Sequence, residues 1–188
     1  MVEKYRPELK GFATTNHPGA LGEGLDLAEK VGASFTDIEQ IQIHPTVVPK
    51  NGHLISESMR ARGAILVNKD GKRFTNELLT RDVVSQNVLK QKDGVAYLIY
   101  DQSIYDSNKL SRGYFEQGYS VKASDVKDLA AKINVPLATL EATMKAIRRP
   151  TSSARMKPSA VPKCSSRSTR LPTTPPSSPL ASITRWVA

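Results

Sequence analysis

The sequence of 188 residues contains little of several residue types that would define its class. It has one cysteine and one tryptophan, and aromatic residues make up 6% of the chain. A single cysteine excludes a small scaffold stapled by disulfides. No apolar run approaches the roughly 20 residues that a membrane span needs, and the first residues lack the apolar segment of a secretory signal. We therefore expect no membrane segment and a reducing, cytoplasmic setting.

Acidic residues are missing from one end of the chain. Residues 146–188 carry eight cations and no acid, whereas the preceding 145 residues carry 19 cations and 18 acids. The formal net charge of +9 therefore divides into +8 on this tail and +1 on the body. The tail also holds seven of the 12 prolines, fourteen serines or threonines and no glycine. This composition buries too little apolar surface to offset the entropy of ordering, so we predict a disordered tail.

The basic tail leaves one functional class open, a non-catalytic protein that binds nucleic acid or another anionic surface. Charge is the whole argument for that class. The tail has one aromatic residue, Trp186, and so offers no platform on which bases stack. We expect no nucleic-acid partner and keep this class as an alternative.

The body, residues 1–145, has the pattern of a mixed α/β (α+β) unit. Apolar residues at helical spacing predict helices over residues 20–33, after Thr80, over 125–133 and after Pro136. Apolar runs bounded by turn residues predict strands at four places, residues 38–43, 63–68, 73–77 and 95–100. The polar turn at residues 69–72 joins two of these strands into a predicted hairpin.

The side chains that could carry chemistry are densest between residues 42 and 82. They are His44, Glu57, Arg60, Arg62, Arg73, Glu77, Arg81 and Asp82. A metal site is disfavoured, because His44 and His53 lack metal-ligand spacing and no cysteine or acidic cluster joins them. No serine or cysteine stands in a nucleophile motif. A histidine with several arginines and glutamates remains, which suits holding a carboxylate and moving a proton.

Three stretches resemble one known family. They are TTNHPGALGEG (residues 14–24), IQIHPT (41–46) and SESMRARGAILVNKDGKRFTNELLTRD (56–82). Together they are similar to the soluble fumarate reductase flavoproteins of the flavocytochrome c type, within the succinate dehydrogenase and fumarate reductase superfamily. The resemblance implies an FAD-dependent oxidoreductase, with part of an FAD-binding domain over residues 1–43 and a capping domain over 44–145. The family's dinucleotide fingerprint is absent, so we expect a fragment that is inactive alone.

The resemblance also implies roles for individual residues. Arg81 would be the proton donor, and Glu57 and Arg60 would relay protons to it. His44, Ser56 and Glu57 would bind the dicarboxylate, fumarate or its product succinate. Urocanate or another enoate stays open as an alternative substrate, and the electron donor is unknown.

Each of these residues also fits a purely structural role. Glu57 and Arg60 are three residues apart and could form a solvated helix pair. Arg81 could pair with a neighbouring acid. Glu23, where the family usually has an aspartate near the cofactor, is a weak cofactor-binding candidate, because an acid in the first turn of a helix is common.

The tail can also be interpreted as nucleic acid. The codons that specify residues 183–188, read one base earlier, can spell His-His-Thr-Met-Gly-Gly, a motif that the family carries after its capping domain. Upstream codons permit the residues that precede that motif. We therefore hypothesise that residues 146–188 are an out-of-frame translation of a fumarate reductase gene.

Overall fold

A computed structural model describes residues 2–148 and 182–187. The helices are α1 (Val2–Tyr5), α2 (Glu23–Lys30), α3 (Ser58–Ala61), α4 (Arg81–Leu89), α5 (Gln102–Ser107), α6 (Lys109–Glu116), α7 (Val126–Ile133) and α8 (Leu137–Arg148). The strands are β1 (Ile65–Val67), β2 (Val95–Tyr100), β3 (Ser120–Val121) and β4 (Ser182–Val187). Short 3-10 helices cover Pro7–Leu9 and Lys92–Gly94. None of the helices in these ranges has the length and apolar character needed to cross a membrane.

The four strands form one sheet in the order β1-β2-β4-β3, and every neighbouring pair is antiparallel. All six residues of β2 are buried. Successive side chains of a strand point to opposite faces. Leu98 accordingly belongs to a cluster with Met59 and Val84 of the α3 and α4 side, and Ile99 to a cluster with Leu129 of α7. Helices therefore cover both faces, which confirms the mixed α+β class.

Several elements lie where the sequence predicts them. Helix α2 falls inside the predicted helix, and β1 and β2 form the two most apolar strands. Helix α4 begins directly after Thr80, and α8 directly after Pro136. Helix α7 is capped by Asp125, whose side chain accepts a hydrogen bond from the backbone N–H of Asp128 at 2.8 Å.

Two predicted strands are wrong. Residues 38–43 form no strand, because no described segment pairs with them. In the predicted hairpin the turn forms, with the backbone N–H of Asn68 donating to the carbonyl of Lys72 at 2.9 Å. The second arm is reduced to one bridge between Val67 and Arg73. The reason lies in Glu77, whose carboxylate accepts the N–H of Leu66 at 2.9 Å, in place of a strand partner on that side.

Two described segments fall in the tail for which disorder is predicted. Helix α8 continues to Arg148, and Ser182–Val187 form β4 between β2 and β3. The composition argument averages over the whole tail, whereas this segment by itself is rich in β-branched and aromatic residues and has no proline. The remaining tail, residues 149–181 and 188, lies outside the described residues, as does Cys164.

Candidate functional site

One polar turn brings the first and last candidate residues together. The side-chain hydroxyl of Thr46 donates to the carbonyl of Ile55 at 2.9 Å, and the N–H of Ile55 donates to the carbonyl of Thr46 at 3.0 Å. Thr46 and Ile55 are completely buried. These paired bonds hold the two arms of the 46–55 turn side by side, so His44 and Glu57 become neighbours although they are 13 positions apart in the sequence.

Four connected side chains, Glu57, His44, Arg81 and Gln42, lie together here, and we call them the Glu57 cluster. Glu57 Oε1 lies 3.1 Å from His44 Nε2 and accepts a hydrogen bond from Arg81 Nε. Arg81 Nη1 also donates to Gln42 Oε1 at 2.7 Å. Arg81 is the first residue of α4, and the start of this helix positions its side chain beside Glu57. Three of the predicted site residues are therefore in one cluster.

In the Glu57 cluster the pKa of His44 and the pKa of Glu57 are both lowered, for different reasons. Burial lowers the pKa of His44, and this effect outweighs the opposing influence of the Glu57 charge. Burial alone would raise the pKa of the Glu57 carboxyl. Hydrogen bonds from its own backbone N–H and from Arg81, together with His44, lower that pKa overall. The favoured state at neutral pH is therefore a neutral imidazole beside an ionised carboxylate.

Arg60 lies next to the cluster without joining it by a hydrogen bond. It is 5% exposed, and its Nη1 donates to the main-chain carbonyl of Glu77 at 2.7 Å. Its Nε atom is buried and has no hydrogen-bond partner in the part of the chain that the structure describes. Burial lowers the pKa of Arg60, and the charge of Arg81 adds to that effect. A guanidinium in this position releases a proton more readily than one in water.

Glu77 holds this arginine indirectly. Its carboxylate accepts hydrogen bonds from Arg73 Nε at 3.0 Å and Arg73 Nη2 at 2.5 Å, as well as from Leu66 N–H. Glu77 is 4% exposed, so this is a buried carboxylate with a full set of donors. The bonds fix the backbone at residue 77, whose carbonyl holds Arg60.

Ser56 stands at the start of the same corner. Its hydroxyl oxygen accepts a bond from the N–H of Ser58 at 3.2 Å, which leaves the hydroxyl proton available to a bound carboxylate. Its own N–H donates to the hydroxyl of Tyr114 at 3.1 Å. Glu77 is among the side chains that could carry chemistry by sequence, although it is not a predicted site residue, whereas the sequence singles out neither Gln42 nor Tyr114. Gln42 lies in the IQIHPT motif and Glu77 in RFTNE, but no local signal points to Tyr114.

A cleft of about 560 Å³ opens beside the cluster. It lies between the amino-terminal segment and the residues that lead into the turn, and its lining includes Thr14, Asn16, Gln42 and His44. These polar groups lie beside apolar side chains such as Phe12 and Ile41. The start of α2 does not fit a pyrophosphate group. Its first turn carries acidic residues, including Glu23, which would repel the phosphate charge. Glu23 is exposed and does not line the cleft.

Across residues 2–148 and 182–187, no three histidine, cysteine, aspartate or glutamate side chains are grouped as metal ligands.

Comparisons with known proteins find an FAD-binding family and two reductases that are similar to this chain. The profile of a family described as "FAD binding domain" matches residues 1–179. The chain is 47% identical over 145 residues to an NADH:fumarate oxidoreductase of Klebsiella pneumoniae, a match that covers 75% of this chain and 16% of that protein. It is 32% identical over 154 residues to a urocanate reductase of Eggerthella lenta, covering 77% and 25%.

A solved fumarate reductase structure is also similar to this chain. The open conformation of a flavocytochrome c3 fumarate reductase superposes with a TM-score of 0.73 at 32% identity, covering 99% of this chain and 32% of that one. The chain thus spans between about a sixth and a third of the length of the proteins that it matches.

Proposed function

Because this chain belongs to the FAD binding domain family, matching its profile over residues 1–179, we propose that it is part of a flavoprotein that reduces fumarate to succinate. FAD is the cofactor of that family, and the resemblance to fumarate reductase flavoproteins is confirmed by the 47% identical relative. The observation that carries the substrate proposal is the Glu57 cluster. One carboxylate contacts both the imidazole of His44 and the guanidinium of Arg81.

The proposed reaction adds a hydride and a proton across the double bond of fumarate. FAD, if bound and reduced, would supply the hydride to one alkene carbon. The residues of this chain hold the substrate and provide the proton. Ser56 donates a hydrogen bond from its hydroxyl to a substrate carboxylate, and His44, which lines the cleft, donates one from Nε2–H to the same group in place of Glu57. These contacts orient the alkene toward the proton donor.

Arg81 gives the proton to the second alkene carbon, where negative charge develops as the hydride arrives. A guanidinium is a weak acid, but its positive charge stabilises that carbon in the transition state. Its contact with Glu57 lets it regain a proton from that carboxyl once Glu57 is itself protonated. One proton leaves Arg81 for the substrate, and one arrives from solvent by way of Arg60 and Glu57, so the residues return to their starting state.

Arg60 is the next proton source in this scheme. Its pKa is lowered by burial, which makes proton release easier. Arg60 does not hydrogen bond to Glu57 in the described structure, so its transfer needs a small side-chain movement or a bridging water.

We also propose that residues 1–43 belong to the FAD-binding domain and 44–145 to the capping domain. The cleft between the amino-terminal segment and residues 41–49 supports a boundary at this place. The out-of-frame origin of residues 146–188 stays a prediction, and the family match includes part of this tail. Sequencing the DNA across codons 140–150 tests it, and an intact frame in which the family motif cannot be read would refute it.

The substrate proposal is tested in a hybrid protein. Residues 1–145 replace the aligned segment of the Klebsiella relative, which supplies the remainder of the flavin site. Yellow flavin absorbance of the purified hybrid establishes that it holds FAD. We expect the hybrid to oxidise a reduced dye when fumarate is added, and the Arg81→Gln hybrid to lose that activity by at least a hundredfold while retaining flavin.

The matched control is Arg112→Gln on the exposed side of α6, which should leave the rate unchanged. A flavin-loaded hybrid that reduces urocanate but not fumarate would replace the fumarate proposal with the enoate alternative. A flavin-loaded hybrid that reduces neither compound would contradict both. For the unmodified chain alone we expect poor FAD binding and no fumarate reduction.

A further inference from the structure

We infer that Tyr114 is a positioning residue, whose hydroxyl group fixes the corner formed by Ser56 and Glu57. Its importance for catalysis rests on the proposed function, whereas its effect on the geometry of the corner does not. Tyr114 lies on α6, 58 residues along the chain from Ser56. It therefore joins a distant helix to the residues that would bind substrate.

The geometry of this link is specific. The N–H of Ser56 donates to the Tyr114 hydroxyl at 3.1 Å, and Tyr114 is 5% exposed within the core cluster beneath the sheet. Its ring is thus held by packing, and the hydroxyl is presented at a fixed point. The N–H of Ser56 is partly buried and has the Tyr114 hydroxyl as its acceptor, so the bond constrains where the backbone at Ser56 can lie.

The position of Ser56 in turn decides where Glu57 lies. Glu57 is the next residue and precedes the first turn of α3. A shift of the Ser56 backbone therefore changes the 3.1 Å separation between Glu57 Oε1 and His44 Nε2. The tyrosine contacts neither His44 nor Arg81 through a hydrogen bond in the described structure, so its influence on them is indirect.

A second tyrosine provides a matched control. The His53 ring lies 4.8 Å from the ring of Tyr119 and 6.0 Å from that of Tyr114, measured between centroids. The Tyr119 hydroxyl accepts a bond from Asn51 Nδ2 at 2.8 Å, at the far tip of the 46–55 turn. Removing that hydroxyl disturbs the same aromatic group and the same turn but leaves the Ser56 bond intact.

The test follows the titration of His44 by NMR in the unmodified chain and in the Tyr114→Phe and Tyr119→Phe variants. The groups that face this imidazole are Glu57, Arg60 and the carbonyl of Thr46. We expect Tyr114→Phe to displace the His44 titration curve from its position in the unmodified chain, and Tyr119→Phe to leave it in place. Superimposable His44 curves in a folded Tyr114→Phe variant would overturn the inference, and so would equal displacement in both variants.

A measurement on the unmodified chain covers the case in which Tyr114→Phe fails to fold. Amide hydrogen exchange at Ser56 should be slowed by at least tenfold relative to an unstructured peptide, because its N–H is held by a buried acceptor. Unprotected exchange at Ser56 would overturn the inference.

The flavin-loaded hybrid relates the inference to catalysis. Tyr114→Phe should raise KM for fumarate severalfold, since Ser56 is proposed to bind the carboxylate, while Tyr119→Phe should leave KM unchanged. Because the His44 titration and the Ser56 exchange need no substrate, a hybrid that never reduces fumarate refutes the proposed function without touching the positioning role. An unchanged KM in an active Tyr114→Phe hybrid would refute the catalytic part of the inference.

Discussion

Replacing Glu77 by glutamine should destabilise the protein by about 1–2 kcal/mol, and the reason can be worked from its contacts. The carboxylate accepts from Leu66 N–H at 2.9 Å, and from Arg73 at 3.0 Å and 2.5 Å. A glutamine oxygen can keep the Leu66 bond. It cannot keep the paired bonds to Arg73, because the new amide presents a donor where the guanidinium also presents donors.

The magnitude follows from the kind of bond that is lost. Hydrogen bonds to charged groups contribute roughly 1.5–3 kcal/mol each to stability. The Arg73 side chain is 42% exposed, so solvent screens its half of the pair and the lower part of that range applies. The assay is urea unfolding at pH 7 followed by far-ultraviolet circular dichroism, with the variant and the parent at one protein concentration.

A double-mutant cycle decides whether this reasoning is right. Arg73→Gln alone, Glu77→Gln alone and the two together should show a coupling energy of about 1 kcal/mol or more. Glu116→Gln, at the exposed end of α6, is the matched control and should change the free energy of unfolding by less than about 0.5 kcal/mol. A coupling energy near zero, or a Glu77→Gln variant as stable as the control, would refute the assignment of a stabilising pair.

Three further predictions concern the core, a backbone contact and pH. Leu98→Ala removes a completely buried side chain from the centre of β2 and should cost about 2–5 kcal/mol in urea unfolding; a loss below 1 kcal/mol would contradict the central place of β2. Gly52 has φ +69 and a Cβ there would lie 2.7 Å from the carbonyl oxygen of Thr14, so Gly52→Ala should cost about 2–3 kcal/mol. Gly11→Ala, at φ +92 in open space, should cost about 1 kcal/mol and serves as its control; equal losses would show that the Thr14 contact is unimportant. Because burial lowers the pKa of His44, the unfolded chain binds its proton at a higher pH than the folded chain, so the free energy of unfolding should fall as the pH drops below about 6.5. His44→Gln should weaken this dependence between pH 7.5 and 5.5, and an unchanged dependence would contradict the shift.

The sequence predicts the fold best where a segment is both apolar and local. The run at residues 95–100 is the buried strand β2, and the boundaries at Thr80 and Pro136 coincide with helix starts, because the signals for these elements lie within a few residues. The arm at residues 73–77 has a strand-like pattern, yet it pairs with β1 only at Arg73. The Glu77 carboxylate accepts the N–H of Leu66 in place of a strand partner. That outcome depends on a contact with Leu66, which no local pattern encodes.

The site residues are also predicted best where a local motif marks them. His44, Glu57 and Arg81 were selected through motifs, and the folded chain brings them together at one carboxylate. Arg60 was selected with them but is turned toward the carbonyl of Glu77. Tyr114 could not be selected, because the only reason to single it out is a hydrogen bond to a residue 58 positions away.

Because β4 lies between β2 and β3, the sheet cannot be completed until residues 182–187 have been synthesised. Strand β2 ends at Tyr100, but the strand that covers its free edge begins at Ser182 and is also the strand that connects β3 to the sheet. At about 5–20 residues per second, a ribosome needs roughly 4 to 16 seconds to add the intervening residues. During that interval six apolar residues of β2 present an unpaired edge, which is the period when the nascent chain is most open to aggregation and most in need of a chaperone.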